Sequence, residues 1–303
     1  MSMKRAFLTA LLCFAVFAPA AQAQIVQTID HFPSQYVAAR RVDIWLPKEY
    51  EADKNQRFPV LYMQDGQNVL NDDIARDYIS WNAGNTAMDL AAQKKIKPVI
   101  IVAVWSTENR YLEYLPEKVL ENLTNDELKE ALEVAKATGA SKQEFMGNDY
   151  LKFLVGELKV YVDKTYRTLT DAQNTAICGS SMGGLISMYA TFEYPEVFGN
   201  AACLSTHWPV LFDENNTNPF DAVSKYMESH MPSSKNHRFY FDQGTKGLDA
   251  ISLPYQKQVD ALLVNSGYKG NVNYVTKVFE GAEDTEKAWR QRFDEVLLFL
   301  FEK

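Results

Sequence analysis

Ala176-Ile177-Cys178-Gly179-Ser180-Ser181-Met182-Gly183-Gly184-Leu185 reads as an apolar strand, a serine between glycines, and the opening of a helix. Ser181 is the centre of a G-x-S-x-G pattern, with Gly179 two residues before it and Gly183 two after. A tight strand-to-helix turn strains the serine backbone and crowds the neighbouring segments, so small residues are needed on both sides. The same turn lifts the hydroxyl above a sheet and aims the N–H groups of a helix N-terminus at the reacting centre. Short serine patterns of this kind are common. Here the apolar run 174–178 and the helical run 185–192 supply the two flanks the turn requires.

Outward from the elbow, strands and helices alternate. Residues 24–31 and 36–46 alternate apolar and polar positions and predict two antiparallel edge strands. The continuous apolar run 59–63 predicts a buried parallel strand that stops at the turn Gln64-Asp65-Gly66-Gln67-Asn68. A helix over 81–95 and a buried strand over 98–104 follow, then the polar-aromatic loop 109–116. Thr124 with Glu127, and Ser141 with Glu144, form S/T-x-x-E boxes that predict helix starts, the second opening a long helix towards Thr165. Beyond the elbow come strands over 200–205, 238–242 and 271–279. Helices over 221–230 and about 254–267 and a final helix to Phe301 lie between and after them. The expectation is an α/β fold, a mostly parallel sheet with helices on both faces, in a single domain over 24–303. Residues 113–141 are the expected insertion, forming a cap or one wall of a pocket.

The 303 residues are 47% hydrophobic, enough for a sizeable core. Met1 to Ala23 has the form of a signal peptide: Lys4 and Arg5, an apolar run 6–17, and Ala21-Gln22-Ala23 before the expected cleavage site. The run is short for a membrane span, so the expected product is exported, periplasmic or secreted, and not membrane-bound after cleavage. Formal charge is −8, and the part after residue 23 has 29 basic against 39 acidic residues. That balance argues against nucleic acid as a partner. Cys178 and Cys203 fall in predicted buried strands and are expected as free thiols. Nothing in the pattern calls for a metal ion or an organic cofactor, and the sequence does not show an oligomeric state.

Ligands of open α/β sheets bind at the C-terminal ends of the strands, and that rule sorts the polar residues. Ser181, the turn Asp65-Gly66-Gln67, the loop with Arg110, Glu113 and Tyr114, then His207 with Trp208, then Asp249, then Glu283 with Asp284 all follow strand ends. His31, His230 and His237 fall elsewhere and are expected to be structural or on the surface. A serine nucleophile needs a base, an acid to orient that base, and donors for the oxyanion. The backbone N–H groups of Met182 and Gln67 suit the donors. Asp249 is the leading acid, on a loop turning inward, with Asp242 as the alternative. The base in this chain order is a histidine before the final helix, and no histidine stands there.

From about Gln35 onward the chain resembles the putative esterase (esterase D-like) family of α/β-hydrolases. The resemblance rests on residues 41–47 (RVDIWLP), 60–68 (VLYMQDGQN), Arg110 with Glu113-Tyr114, 179–184 (GSSMGG), Gly281-Ala282-Glu283 and Trp289. It implies the α/β-hydrolase fold and hydrolysis of small-molecule carboxylic esters through an acyl-enzyme on Ser181. It also implies Gln67 and Met182 as oxyanion donors and a histidine after Glu283, where this chain has Asp284. Three outcomes remain open at this level. The triad is broken and Asp284 merely caps the final helix; His207 substitutes as base; or Asp284 itself acts, its carboxyl crowded by Glu283 and Asp249. The corresponding functions are an ester hydrolase, a ligand-binding relative without turnover, or an acyl transferase to an acceptor other than water. Asp65, Arg110, Tyr114 and Trp208 are the expected substrate contacts, with Tyr111 among the aromatics of the same loop.

Overall fold

The computed structural model describes residues 25–211 and 216–303. The signal-peptide reading of residues 1–23 therefore lies outside the described residues. Eight strands form one sheet: β1 (Ile25–Phe32), β2 (Arg40–Leu46), β3 (Val60–Met63), β4 (Ile100–Val104), β5 (Thr175–Ser180), β6 (Asn200–Leu204), β7 (Arg238–Gly244) and β8 (Tyr274–Phe279). Their order is β1-β2-β4-β3-β5-β6-β7-β8. β1 and β2 are antiparallel, β2 runs antiparallel to β4, and every other pair is parallel. Of the first two strands, only β1 is an edge.

The helices are α1 (Glu49–Ala52), α2 (Ala83–Ala92), α3 (Arg110–Glu113), α4 (Glu117–Leu120), α5 (Asn125–Ala137), α6 (Gly147–Lys152), α7 (Lys159–Thr165), α8 (Met182–Glu193), α9 (Asn218–His230), α10 (Leu248–Asn265) and α11 (Glu286–Phe301). Period-two alternation along the strands feeds two cores. Val60 and Tyr62 of β3 face the core under α7, α8, α9 and α10, whereas Leu61 and Met63 face the core under α2 and α11. β3 to β6 are buried along their whole length, because both faces are covered. Cys178 and Cys203 are buried free thiols in β5 and β6, and burial pushes both up from the ordinary thiol range.

Two helix starts differ from expectation. The Thr124–Glu127 box is present and opens α5. The Ser141–Glu144 box is not formed, because the Ser141 hydroxyl and amide bind the side chain of Asn109 and the helix begins at Gly147. That helix reaches Thr165 through a widened turn over Phe153–Leu158. α10 begins six residues before its expected proline start, so Pro254 lies inside it and Asp249 falls in its first turn, not on a loop.

Strand order reverses at β3: the chain leaves it to one side for β4, then returns to the other side for β5. A crevice opens at the C-terminal ends of strands where such a reversal occurs. The turn after β3 and the elbow after β5 face each other there.

Candidate active site

Ser181 sits between β5 and α8 with φ 54° and ψ −122°, a backbone conformation that costs a residue with a side chain about 1–3 kcal/mol. Its amide donates to Leu204 O at 2.9 Å, and its carbonyl accepts from Gly184 at 3.0 Å and Leu185 at 3.2 Å. The glycines are required by contact. A Cβ on Gly179 would lie 2.5 Å from the backbone of Gly183, and one on Gly184 would lie 2.8 Å from the Thr206 hydroxyl. Met182 is the first residue of α8, so its N–H has no acceptor within the helix.

The turn after β3 begins at Asp65, which has a left-handed backbone (φ 53°), and closes as a single 3₁₀ turn over Gly66–Asn68. Gly66 packs directly on β4, where a Cβ would come within 2.6 Å of the Ala103 carbonyl carbon. The Gln67 side chain is clamped to Ser106, donating to its hydroxyl at 2.7 Å and accepting from its amide at 3.2 Å. This fixes the Gln67 backbone. Asp65 takes a bidentate ion pair from Arg110, at 2.6 and 2.8 Å.

These parts border a cavity of about 680 Å³. Its wall includes Ser181, Met182, Gln67, Asp65, Arg110, Tyr111 and Asp284, so the structure brings together most of the residues singled out from sequence. Tyr111 and Thr138 bring the 113–141 region and its approach to the same wall, as expected of the insertion.

Other expected contacts are elsewhere. Tyr114 is fully buried; its hydroxyl accepts the Asp65 amide at 3.3 Å and its ring lies under the Arg110 guanidinium. It supports the wall from behind and does not line it. Trp208 is fully buried in the core, its indole donating to Gln256 at 2.9 Å, and is not a pocket wall. His207 is also buried and is not among the cavity-lining residues. Burial pushes its imidazole down to about 4, and its ring is tied to the backbone of Leu211. His237 bridges the carbonyls of Ser233 and Pro195, His230 lies against Tyr226, and His31 is exposed.

The two candidate acids separate clearly. Asp242 is buried and committed to Arg292, 2.8 Å away; burial pushes its carboxyl up to about 6. Asp249 lies in the first turn of α10, where its Oδ2 accepts the Gly244 amide at 2.7 Å and the Ser205 hydroxyl at 3.1 Å. Gly244 permits that approach, since a Cβ there would lie 2.7 Å from the same oxygen and 2.1 Å from the Ala282 carbonyl oxygen. Asp284 does not cap α11; Thr285 does, accepting the Ala288 amide at 3.3 Å. The Asp284 carboxylate turns instead to the N-terminus of α10, where it accepts the Leu248 amide.

Sequence reasoning passed over one charged wall residue on α11. Glu286 lines the cavity and accepts from Asn68 at 3.0 Å; burial raises its carboxyl from the ordinary value. Its signal was present: the first turn of a helix that follows the last strand end faces the crevice. Ile74, Ala75, Trp81 and Trp289 add an apolar floor.

Residues 37–300 match the family model described as Putative esterase. Among curated proteins, the uncharacterised protein YbbA of Bacillus subtilis is 26% identical over 172 residues, 56% of this chain and 58% of that protein. The endo-1,4-beta-xylanase/feruloyl esterase of Xylanibacter ruminicola is 28% identical over 187 residues, 59% of this chain and 21% of that protein. The chain thus spans less than two thirds of the first relative and about a fifth of the second. Among solved structures, the enterobactin esterase FES of Shigella flexneri superposes with a TM-score of 0.66 at 15% identity, covering 92% of this chain and 59% of that one. At that identity the likeness is one of fold, and the fold is that of the α/β-hydrolases. With nearly nine tenths of its length inside the family model, the chain belongs to the putative esterase family.

Proposed function

We propose that the chain is an exported carboxylic-ester hydrolase, one domain over residues 24–303, that works through an acyl-enzyme on Ser181. The observation that carries this is the Ser181 backbone, strained at φ 54° and ψ −122° on the cavity wall, with the Met182 amide next to it. Strain of that kind places a hydroxyl where an ester carbonyl can reach it, and the amides of Met182 and Gln67 then receive the oxyanion. The apolar floor suits an aromatic or acyl group, and Arg110 with Asp65 a polar alcohol portion. A sequence relative named in part as a feruloyl esterase supports an aromatic acyl group. Export is supported by the pattern of residues 1–23.

A second reading is a ligand-binding protein without turnover. It is favoured by Asp284, which stands where a serine hydrolase of this order carries its histidine. The test is fluorophosphonate labelling and hydrolysis of short p-nitrophenyl esters by the mature protein, with Ser181→Ala and Asp284→His alongside. Labelling and hydrolysis lost in Ser181→Ala support the hydrolase. An unlabelled, inactive wild type whose activity appears only in Asp284→His supports the binding protein.

A further inference from the structure

Asp249 is 1% exposed, and its Oδ1 has no hydrogen-bond partner among the described residues. An isolated buried carboxylate oxygen is costly, and native proteins rarely leave one unpaired. A second carboxyl lies at the same helix end. Asp284 accepts the amide of Leu248, the first residue of α10, and its Oδ1 lies 3.3 Å from where a Cβ on Gly247 would stand. Both carboxyls therefore sit on the first turn of one 18-residue helix. Asp249 is behind, against the core, and Asp284 is in front, on the cavity wall with Ser181.

The geometry points to a carboxyl pair, Asp249 and Asp284, that holds one proton between them, with Asp284 receiving the Ser181 proton in place of an imidazole. This rests on the serine-hydrolase reading of the cavity. Adjacent carboxyls resist ionising together, and the pair titrates as a unit. A proton on Asp249 Oδ1 removes the charge from that buried, unpaired oxygen. It leaves Asp284 ionised where the Leu248 amide and the helix N-terminus favour negative charge. Burial, and then the charge of Asp249, raise the Asp284 carboxyl from its ordinary value; burial raises that of Asp249. Other charged groups face the pair. Arg292 of α11 and Asp242 of β7 lie behind Asp249, already paired at 2.8 Å, and Glu283 stands beside Asp284. Glu286 of α11 shares the cavity wall.

The steps balance. Ser181 Oγ attacks the ester carbonyl carbon while its proton passes to Asp284, and the carbonyl π electrons move to the oxygen held by the Gln67 and Met182 amides. The pair now carries two protons. Collapse re-forms the carbonyl and breaks the bond to the alcohol oxygen, which leaves with the proton from Asp284. Water then attacks the acyl-enzyme, giving its proton to Asp284; collapse releases the acid and returns that proton to Ser181.

A carboxylate base works only while the pair is singly protonated, so activity rises as the first proton leaves and falls as the second does. The experiment is kcat/KM for p-nitrophenyl acetate from about pH 4 to pH 9, for wild type, Ser181→Ala, Asp284→Asn, Asp249→Asn and Asp284→His. The expected wild-type profile is a bell with its maximum below neutral pH. Asp284→Asn lowers the maximum by about 10²- to 10⁴-fold. Asp249→Asn, whose amide can donate as the protonated acid does, removes the alkaline limb, and Asp284→His moves the maximum towards neutrality. Infrared difference spectra give a second readout that needs no turnover: a protonated carboxyl band at neutral pH that Asp249→Asn removes. Serine-dependent hydrolysis that survives in Asp284→Asn, a wild-type maximum at or above neutrality, or absence of the band overturns the shared proton. So does a wild type inactive at every pH beside an active Asp284→His. Hydrolysis that persists in Ser181→Ala overturns the serine-hydrolase reading itself.

Discussion

Ser205→Ala removes one oxygen on which three buried groups converge. Trp289 Nε1 donates to it at 2.9 Å, Arg292 Nη2 donates to it at 3.0 Å, and the hydroxyl donates to Asp249 Oδ2 at 3.1 Å. Ser205 is 4% exposed, and the space left by a single oxygen is too small to admit water. The indole N–H then loses its partner outright. The other two keep one each: Arg292 stays 2.8 Å from Asp242, and Asp249 still accepts the Gly244 amide at 2.7 Å. One orphaned buried donor costs about 1–3 kcal/mol, and two further buried groups each lose a hydrogen bond, so the expected loss is about 2–4 kcal/mol. For a chain of this length that is a Tm lower by about 4–8 °C. Urea unfolding and thermal melts of Ser205→Ala measure it. Ser187→Ala is the reference, because the fully buried Ser187 hydroxyl makes a single bond to the Gly183 carbonyl at 2.7 Å. That variant should lose about 0.5–1.5 kcal/mol. A Ser205→Ala loss no larger than that of Ser187→Ala refutes the hub.

Gly66→Ala drives a Cβ to within 2.6 Å of the Ala103 carbonyl carbon and must displace the turn that carries Gln67. Stability should fall by about 1–3 kcal/mol, with kcat reduced more than KM is raised; an unchanged kcat removes Gln67 from the oxyanion site. Glu113→Gln leaves the Arg40 guanidinium buried without its counter-charge, now bound at 2.6 and 2.9 Å, and should cost about 3–5 kcal/mol. Arg40→Met with Glu113→Leu should recover most of that in the same denaturation assay. Burial alone would raise Glu127, but hydrogen bonds from Asn216, Thr124 and Asn218 outweigh it and bring the carboxyl down to about 2 from its ordinary 4.5. A depressed carboxyl stabilises the fold fully above pH 4.5 and loses that contribution as pH falls towards 2. Stability of Glu127→Gln measured against pH should therefore be flatter than wild type over that window.

The alternation of strands and helices and the elbow were legible because each rests on a local rule. Buried parallel strands read as apolar runs, and the Gly179-Ser181-Gly183 spacing is demanded by contacts that the structure shows directly. The position of Asp249 was less legible. Pro254 looked like a helix start, but Gly247 with φ 58° lets α10 begin a turn and a half earlier, and so moves Asp249 from loop to helix. Tyr114 and Trp208 misled for a different reason. A tyrosine hydroxyl or an indole N–H beside a strand end can serve a ligand or the fold, and here Asp65 and Gln256 take them. Ser205 carries no motif; its role exists only once Trp289, Arg292 and Asp249 are brought together in space.

Two local costs meet at one cavity. Ser181 holds a strained backbone, and Asp249 is buried with one oxygen unpaired among the described residues, although the surrounding chain does much to hold it there. Gly244 clears room for its other oxygen, and Ser205, itself fixed by Trp289 and Arg292, donates to it. A binding cavity needs its wall and its volume. It needs neither a strained serine nor a desolvated carboxyl: glycine would hold the elbow with less strain, and an apolar side chain in place of Asp249 would avoid burying an unpaired oxygen. Departures from local preference are expected where chemistry requires them. That both occur around the cavity whose wall carries Asp284, where the family pattern calls for a histidine, favours turnover with a carboxyl base over binding alone.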